Sequence, residues 1–239
     1  MRLLVIGGCG AIGSFVVPVL ARTHEVRVLD LNEPRVPASG VEYHTGDLHD
    51  VDLVARLSSE VDTLVFMAKG PLRGWGSPEN ARQHFDVAVS GLYLAISGAV
   101  RAGVRHVVYT SSMSVYRYPD AEIFTFPEEP VPPDALDFYG LAKRLGEEVG
   151  RSATVQHGID VVCLRLCFPV PDDEWPRNER PRQRAISTSG RDTAAAIDAA
   201  LHRRGHGFDV YAISGDATGK MMSLDKARRE LGWAPQDVT

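Results

Sequence analysis

The strongest constraint on this chain lies in its first thirteen residues. A short apolar run, Leu3-Leu4-Val5-Ile6, breaks into Gly7-Gly8-Cys9-Gly10-Ala11-Ile12-Gly13 and then into helix-forming sequence. Glycines at a G-x-x-G-x-x-G spacing between a strand and a helix fit a turn that binds a dinucleotide. Gly7 permits the tight turn, Gly10 lets the backbone approach a pyrophosphate, and Gly13 allows the helix to pack closely on the strand. The pyrophosphate is expected at the helix N-terminus, with Ala11 and Ile12 among its contacts, because free N–H groups and the helix dipole favour an anion there.

Residues beyond the turn support the same reading. Asp30 closes the second apolar run about 20 residues on, where a carboxylate accepts hydrogen bonds from a ribose diol, with Leu31 beside it. That carboxylate also repels a 2′-phosphate, which favours NAD over NADP; Arg35 nearby argues the other way. Asp47-Leu48, after the third run, is placed to meet the adenine, and Asp47 serves equally well as a helix cap.

Short β-rich runs alternate with helix-period stretches along the chain, the pattern of βαβ units and a parallel sheet. The spacing predicts strands at Leu3–Gly7, Glu25–Asp30, Val41–His44, Thr63–Met67, Val107–Ser111 and Asp160–Leu166. Helices are predicted from Ala11, over Val51–Leu57, from about Pro78 to Ala102, and from Phe138 to about His157. Six strands with crossover helices make an α/β fold, a Rossmann-type doubly wound parallel sheet. A helix from Asp192, a strand at Phe208–Ile213 and a short amphipathic segment ending Leu231-Gly232-Trp233 close the chain. We divide it into a dinucleotide-binding core, 1–166, and a short substrate-binding region, 167–239, interleaved with the last sheet elements in one structural domain. Two stretches break the rhythm, Pro119–Pro133 and Pro169–Arg184. Both come after strands at their carboxyl ends, where an open α/β sheet binds ligands, so both are expected to wall a substrate pocket.

Charge and cysteine usage narrow the partners. The 239 residues carry a net charge of −5, which gives no electrostatic reason to expect nucleic acid or an anionic membrane. Cys9, Cys163 and Cys167 show neither metal-ligand spacing nor a disulfide pattern, and the first apolar run is too short for a signal or a membrane span, so a cytoplasmic protein is expected. The eight histidines show no ligand spacing, and no metal is expected.

A second constellation carries the chemistry. Tyr139 and Lys143 stand i, i+4 in a helical stretch, so both side chains leave one face. A phenol near pKa 10 is a poor base at pH 7, but a neighbouring ammonium and a bound nicotinamide cation favour the phenolate. Lowering it to about 7 takes roughly 4 kcal/mol, within reach of several charges in a partly desolvated cleft. The fifth strand ends Tyr109-Thr110-Ser111-Ser112-Met113-Ser114 and delivers the Ser112 hydroxyl to the same sheet edge, where it can hydrogen-bond a reacting oxygen.

On these residues the chain resembles the extended short-chain dehydrogenase/reductase family, the NAD-dependent epimerase/dehydratase group. The resemblance spans nearly the whole sequence: the glycine turn, Asp30, Asp47-Leu48, Ser111-Ser112 with Val115-Tyr116, Tyr139 to Lys143, Leu164-Arg165 ahead of Pro169, and Leu231-Gly232-Trp233-Ala234-Pro235. It implies that Ser112 positions substrate, that Tyr139 is the base, and that Lys143 also holds the nicotinamide ribose. It further implies that Ala68 lines the cofactor cleft, that Pro169 lies near the nicotinamide, and that two long helices build a homodimer. Departures bear on substrate. Ala88 stands where the family often has asparagine, and Phe168 where sugar-nucleotide epimerases have another. Met113 and Ser114 replace the acidic residues of 4,6-dehydratases, which argues against water elimination. The short substrate region is similar to that of uronate dehydrogenases, and Arg177, Arg180, Arg182 and Arg184 are candidates to meet a carboxylate. Lys69, unusual for the family, and Ser114 are further substrate candidates.

The expectation is therefore an NAD-dependent oxidoreductase acting on the hydroxyl or carbonyl of a small sugar or sugar acid. An epimerase that oxidises and re-reduces one carbon is the first alternative, and a dinucleotide-sensing protein without turnover the second.

Overall fold

The computed structural model describes residues 1–116, 133–175, 186–219 and 223–237. Among these residues seven strands form one all-parallel sheet: β1 (Arg2–Ile6), β2 (Glu25–Asp30), β3 (Val41–Thr45), β4 (Thr63–Phe66), β5 (His106–Ser112), β6 (Asp160–Leu166) and β7 (Phe208–Ile213). Their spatial order is β3-β2-β1-β4-β5-β6-β7. The winding reverses between β1 and β4, and the crevice above that switch point is where an open parallel sheet receives a ligand. The closing strand foreseen at Phe208–Ile213 is the seventh, paired with β6 from Val161 opposite Phe208 to Leu166 opposite Ile213.

Strand alternation builds a core on each face of the sheet. Leu3 and Val5 point to one side, where α1 (Gly13–Leu20) and α6 (Gly190–Leu201) cover them through Val16, Val17, Leu20 and Ile197. Leu4 and Ile6 point to the other, beneath Val54 and Leu57 of α2 (Val51–Leu57) and Leu92, Ala95 and Ile96 of α4 (Leu92–Arg101). These four residues of β1, Leu3 to Ile6, are all buried. A strand apolar on both faces is what a central position in a parallel sheet requires.

The helix expected from Pro78 to Ala102 is not uniform. It runs as α3 (Pro78–Phe85), a π-helical turn over Asp86–Gly91, then α4. Apolar periodicity cannot register one such wide turn in a long helix, because the residues on either side keep their faces. Gly91 fits the turn closely: a Cβ there would lie 2.4 Å from Leu48 Cδ1. The helix α5 (Phe138–His157) starts at Asp137, whose side chain accepts from the Tyr139 and Gly140 amides, and stops at left-handed Gly158. Asp225–Leu231 forms the last helix, α7. Among the described residues no helix is long and apolar enough to cross a membrane.

Candidate active site

The dinucleotide turn opens at Gly7, whose φ of +84° is a left-handed conformation that glycine adopts without strain. It also packs against the next strand, since a Cβ at Gly7 would lie 2.5 Å from the Ala68 amide nitrogen. Gly13 seats α1 on the turn, its missing Cβ leaving room for the Gly8 carbonyl oxygen, which would lie 2.2 Å away. No side chain caps α1; Ile12 occupies the N-cap without a side-chain hydrogen bond. The Ser14 and Phe15 amides bond back to the Gly10 and Ile12 carbonyl oxygens, so an anion site here rests on the amides that precede them, at Ala11, Ile12 and Gly13.

Asp30 ties the turn to the end of β2. Its Oδ2 accepts from the Cys9 amide at 3.0 Å and its Oδ1 from the Asn32 amide at 3.0 Å. A groove of about 470 Å³ runs alongside, lined by Gly10, Ala11, Pro34, Arg35 and Tyr43. The open N-terminus of α1, the close approach at Gly7 and the fixed carboxylate at Asp30 together fit a dinucleotide. Asp47 accepts from the backbone and ring of His49, and the cap of α2 is Asp50, which accepts from the Leu53 amide at 2.9 Å. Of the two readings of Asp47, capping is thereby removed. Leu31 is exposed beyond Asp30, and Leu48 is buried.

The segments that carry Ser112, Tyr139 and Lys143 pack together at the carboxyl edge of β5. The Ser112 hydroxyl oxygen accepts from the Ser114 amide at 3.1 Å, which leaves its own O–H to donate. The N-terminal turn of α5 is pressed onto this strand end: a Cβ at Gly140 would lie 2.1 Å from the Ser114 carbonyl oxygen. That contact sets the helical turn that carries Tyr139 on the strand end that carries Ser112. One turn further, Lys143 is buried and donates to the Thr110 carbonyl oxygen at 2.7 Å. Burial, and then the nearby Lys69 charge, bring its ammonium down to about 7.

Beneath the triad lies a buried ion pair. Glu147 and Arg165 meet at 2.6 Å, with a second contact from Arg165 Nε to Glu147 Oε1 at 2.8 Å. Ser111 donates to the same Oε1 at 2.6 Å, and Arg165 also bonds the Tyr116 hydroxyl. The two motifs that flank the triad in sequence, Ser111 to Tyr116 and Leu164-Arg165, are thus joined through α5.

Around Tyr139 stands an aromatic cluster that sequence spacing does not anticipate. Trp75 lies 5.5 Å from the Tyr139 ring and 4.9 Å from Phe138, and His84 lies 5.4 Å from each of those two. The available signal is Gly74-Trp75-Gly76, an indole between glycines in the loop that leaves β4. Phe168 takes a left-handed φ of +41°, an uncommon state for an aromatic residue and one that asparagine tolerates better. The adjoining Pro169 pairs with Thr188. Arg177, Arg180, Arg182 and Arg184 lie outside the described residues, as does most of Pro119–Pro133. Among the described residues no cluster of three or more histidine, cysteine or carboxylate side chains could hold a metal.

Comparison with known proteins bears on the family and the fold. The family model described as NAD dependent epimerase/dehydratase family matches residues 3–187. An L-arabinose 1-dehydrogenase (NAD(P)(+)) of Haloferax volcanii is 24% identical over 257 residues, covering 99% of this chain and 96% of the relative. An NAD-dependent glucose-6-phosphate dehydrogenase of the same organism is 26% identical over 250 residues, covering 98% and 93%. Among solved structures, a mutated uronate dehydrogenase superposes with a TM-score of 0.81 at 27% identity, over 99% of this chain and 82% of that one.

Proposed function

The chain belongs to the NAD dependent epimerase/dehydratase family, and from that premise we propose that it oxidises a hydroxyl-bearing carbon of a small sugar or sugar acid, with Ser112, Tyr139 and Lys143 as its working groups. The observation that supports this reading is the approach of α5 to β5, Gly140 against Ser114 and Lys143 against Thr110, which joins the two elements that carry the three groups.

Each group has a role set by its surroundings. The Tyr139 phenolate takes the proton of the sugar hydroxyl, while Ser112, its acceptor side engaged by Ser114, donates to the reacting oxygen. Lys143 spends one N–H on Thr110 and keeps two for the phenolate and the cofactor ribose. NAD, when bound, supplies the acceptor for the hydride that leaves the carbinol carbon. The turn, Asp30, Ala68 and Pro169 are the residues that hold it. The names of relatives matched nearly end to end, an arabinose dehydrogenase and a glucose-6-phosphate dehydrogenase, favour a free or phosphorylated monosaccharide over a nucleotide sugar.

The test is NADH absorbance on the purified protein with NAD and a panel of neutral monosaccharides, uronic acids, hexose phosphates and nucleotide sugars. Net NADH that disappears in Tyr139→Phe is the expected result. Conversion of a sugar to its epimer with no net NADH would replace dehydrogenation by epimerisation, and tight NAD binding with neither outcome would leave a binding protein.

A further inference from the structure

The loop between β4 and α3 brings a cation and an indole to the triad, and its position is fixed from both sides. Lys69 comes after Ala68, whose backbone packs on the Gly7 turn, and precedes Gly70, where a Cβ would lie 2.7 Å from the His84 ring. His84 in turn faces the Tyr139 ring edge-on at 5.4 Å. Lys69 therefore stands between the dinucleotide turn and the aromatic group around the phenol.

The loop is braced rather than loose. Buried Asn80 donates from Nδ2 to the Pro71 and Arg73 carbonyls at 2.6 and 3.2 Å, and His84 Nε2 donates to the Pro71 carbonyl at 3.2 Å. Held in this way, Trp75 stays 53% exposed while one side of its indole meets His84, Phe138 and Tyr139. An indole fixed by its neighbours and open beside a reacting hydroxyl is a platform for the apolar face of a sugar ring.

The charges are out of balance. Among the described residues Lys69 has no carboxylate partner. Glu147, whose charge acts on Lys143, is already committed to Arg165 and Ser111. Lys69 is exposed at the mouth of this cleft, while Lys143 and His84 are buried in it, and the Lys69 charge presses the pKa of both further down than burial alone does. The Lys69 and Lys143 ammonium groups repel each other across this cleft, and an anion that arrives beside Lys69 relieves that repulsion.

We propose that the loop 69–77 is the substrate-recognition element, in which Lys69 pairs with an anionic substituent of the sugar, a carboxylate or a phosphate, and Trp75 stacks on the sugar ring beside Tyr139. This rests on the dehydrogenase reading above and adds the substrate class to it. The substrate is an acidic monosaccharide, its charge within reach of Lys69 while its reacting hydroxyl meets Ser112 and Tyr139.

The experiment compares KM and kcat of wild type, Lys69→Met, Trp75→Phe and Trp75→Ala on uronic acids, hexose 6-phosphates and the matching neutral sugars, with NAD affinity measured separately. In Lys69→Met, KM for the anionic sugar is expected to rise about 10- to 100-fold, the loss of a charge-assisted contact. KM for the neutral congener and the affinity for NAD stay as they were. Trp75→Ala raises KM for charged and neutral sugars alike, and Trp75→Phe restores it. Whether uronic acid or hexose phosphate shows the larger Lys69 effect identifies the anion.

An unchanged anionic-to-neutral ratio in Lys69→Met overturns the pairing, as does a loss of NAD affinity without a change in sugar KM, which would assign Lys69 to the cofactor. A separate readout protects the inference from failure of turnover. With NAD present, an acidic sugar is expected to quench tryptophan fluorescence in wild type and in Tyr139→Phe but not in Trp75→Phe. Quenching without NADH formation would retain the recognition loop and sink the dehydrogenase reading; no quenching by any acidic sugar would sink the loop.

Discussion

Lys143 reaches from α5 to the Thr110 carbonyl oxygen of β5 across 2.7 Å, from a fully buried position. The contact locks the helix that carries Tyr139 to the strand that carries Ser112. It also buries an ammonium whose pKa falls to about 7, with burial and Lys69 pulling it down and Glu147 and Cys163 pulling it up. In the unfolded chain the same group titrates at about 10.4. Between those values the unfolded state binds more protons, so this lysine makes stability rise with pH across that window and costs most below about 7. Lys143→Met is therefore expected to abolish turnover while raising the melting temperature. The gain should be larger at pH 6 than at pH 9. Thermal melts at the two pH values check it, and a melting temperature that falls equally at both would show that the Thr110 bond outweighs the buried charge.

The proton and the hydrogen bond at the reacting oxygen should separate by mutation. Tyr139→Phe removes the base but keeps the ring against Trp75 and His84, so kcat is expected to drop by about 10²- to 10⁴-fold with NAD affinity retained. Ser112→Ala removes a donor to the oxygen and is expected to cost about 10²- to 10³-fold in kcat. Single-turnover rates and NAD titrations measure both; equal loss of NAD affinity in Tyr139→Phe would mean that the phenol binds cofactor rather than moving a proton.

Much of this site could be read from spacing, and the reason is local geometry. The glycine turn, Asp30 and the Tyr139–Lys143 pair each depend on residues close in sequence or on a fixed strand-to-helix connection, so periodicity and residue type are sufficient to locate them. The seven-strand order grows out of the same alternation. What escaped is set by contacts between distant segments. Trp75 meets Phe138 and Tyr139 across more than sixty residues of chain, and no local pattern announces it. The π turn at Asp86–Gly91 preserves the apolar face of its helix, so the pattern passes over it. Lys69 stands out in the sequence only as an unusual residue; that it has no carboxylate partner among the described residues is a property of the packed cleft.

Cofactor choice should rest on Asp30. Its carboxylate is held by the Cys9 and Asn32 amides at the end of β2, where it can accept from ribose hydroxyls and repel a 2′-phosphate. Arg35 already lines the adjacent groove and can pair with such a phosphate once the acid is gone. Asp30→Ser is expected to weaken NAD by about tenfold, roughly 1.4 kcal/mol, and to improve NADP, inverting or erasing the preference. Titration of both dinucleotides decides it; an unchanged ratio would take Asp30 out of the ribose site.

The Glu147–Arg165 pair separates a structural contribution from a chemical one. Both side chains are buried, and they share Ser111 and Tyr116 as further partners. Removing one partner strands the other charge in a low-dielectric interior, so Arg165→Met and Glu147→Leu are each expected to cost about 3–5 kcal/mol of stability. The double variant leaves no stranded charge and should cost far less than the sum, because buried pairs replaced by apolar groups of similar size are often close to neutral. The pair also fixes α5 to β6 immediately beneath Lys143, so the double variant tests whether the ions serve more than packing. Retained stability with kcat reduced and substrate KM unchanged is the expected outcome, since the helix then loses the register that presents Tyr139 to Ser112. Additive destabilisation in denaturant titrations would mean that each charge acts alone, and full activity in a stable double variant would reduce the pair to a packing element.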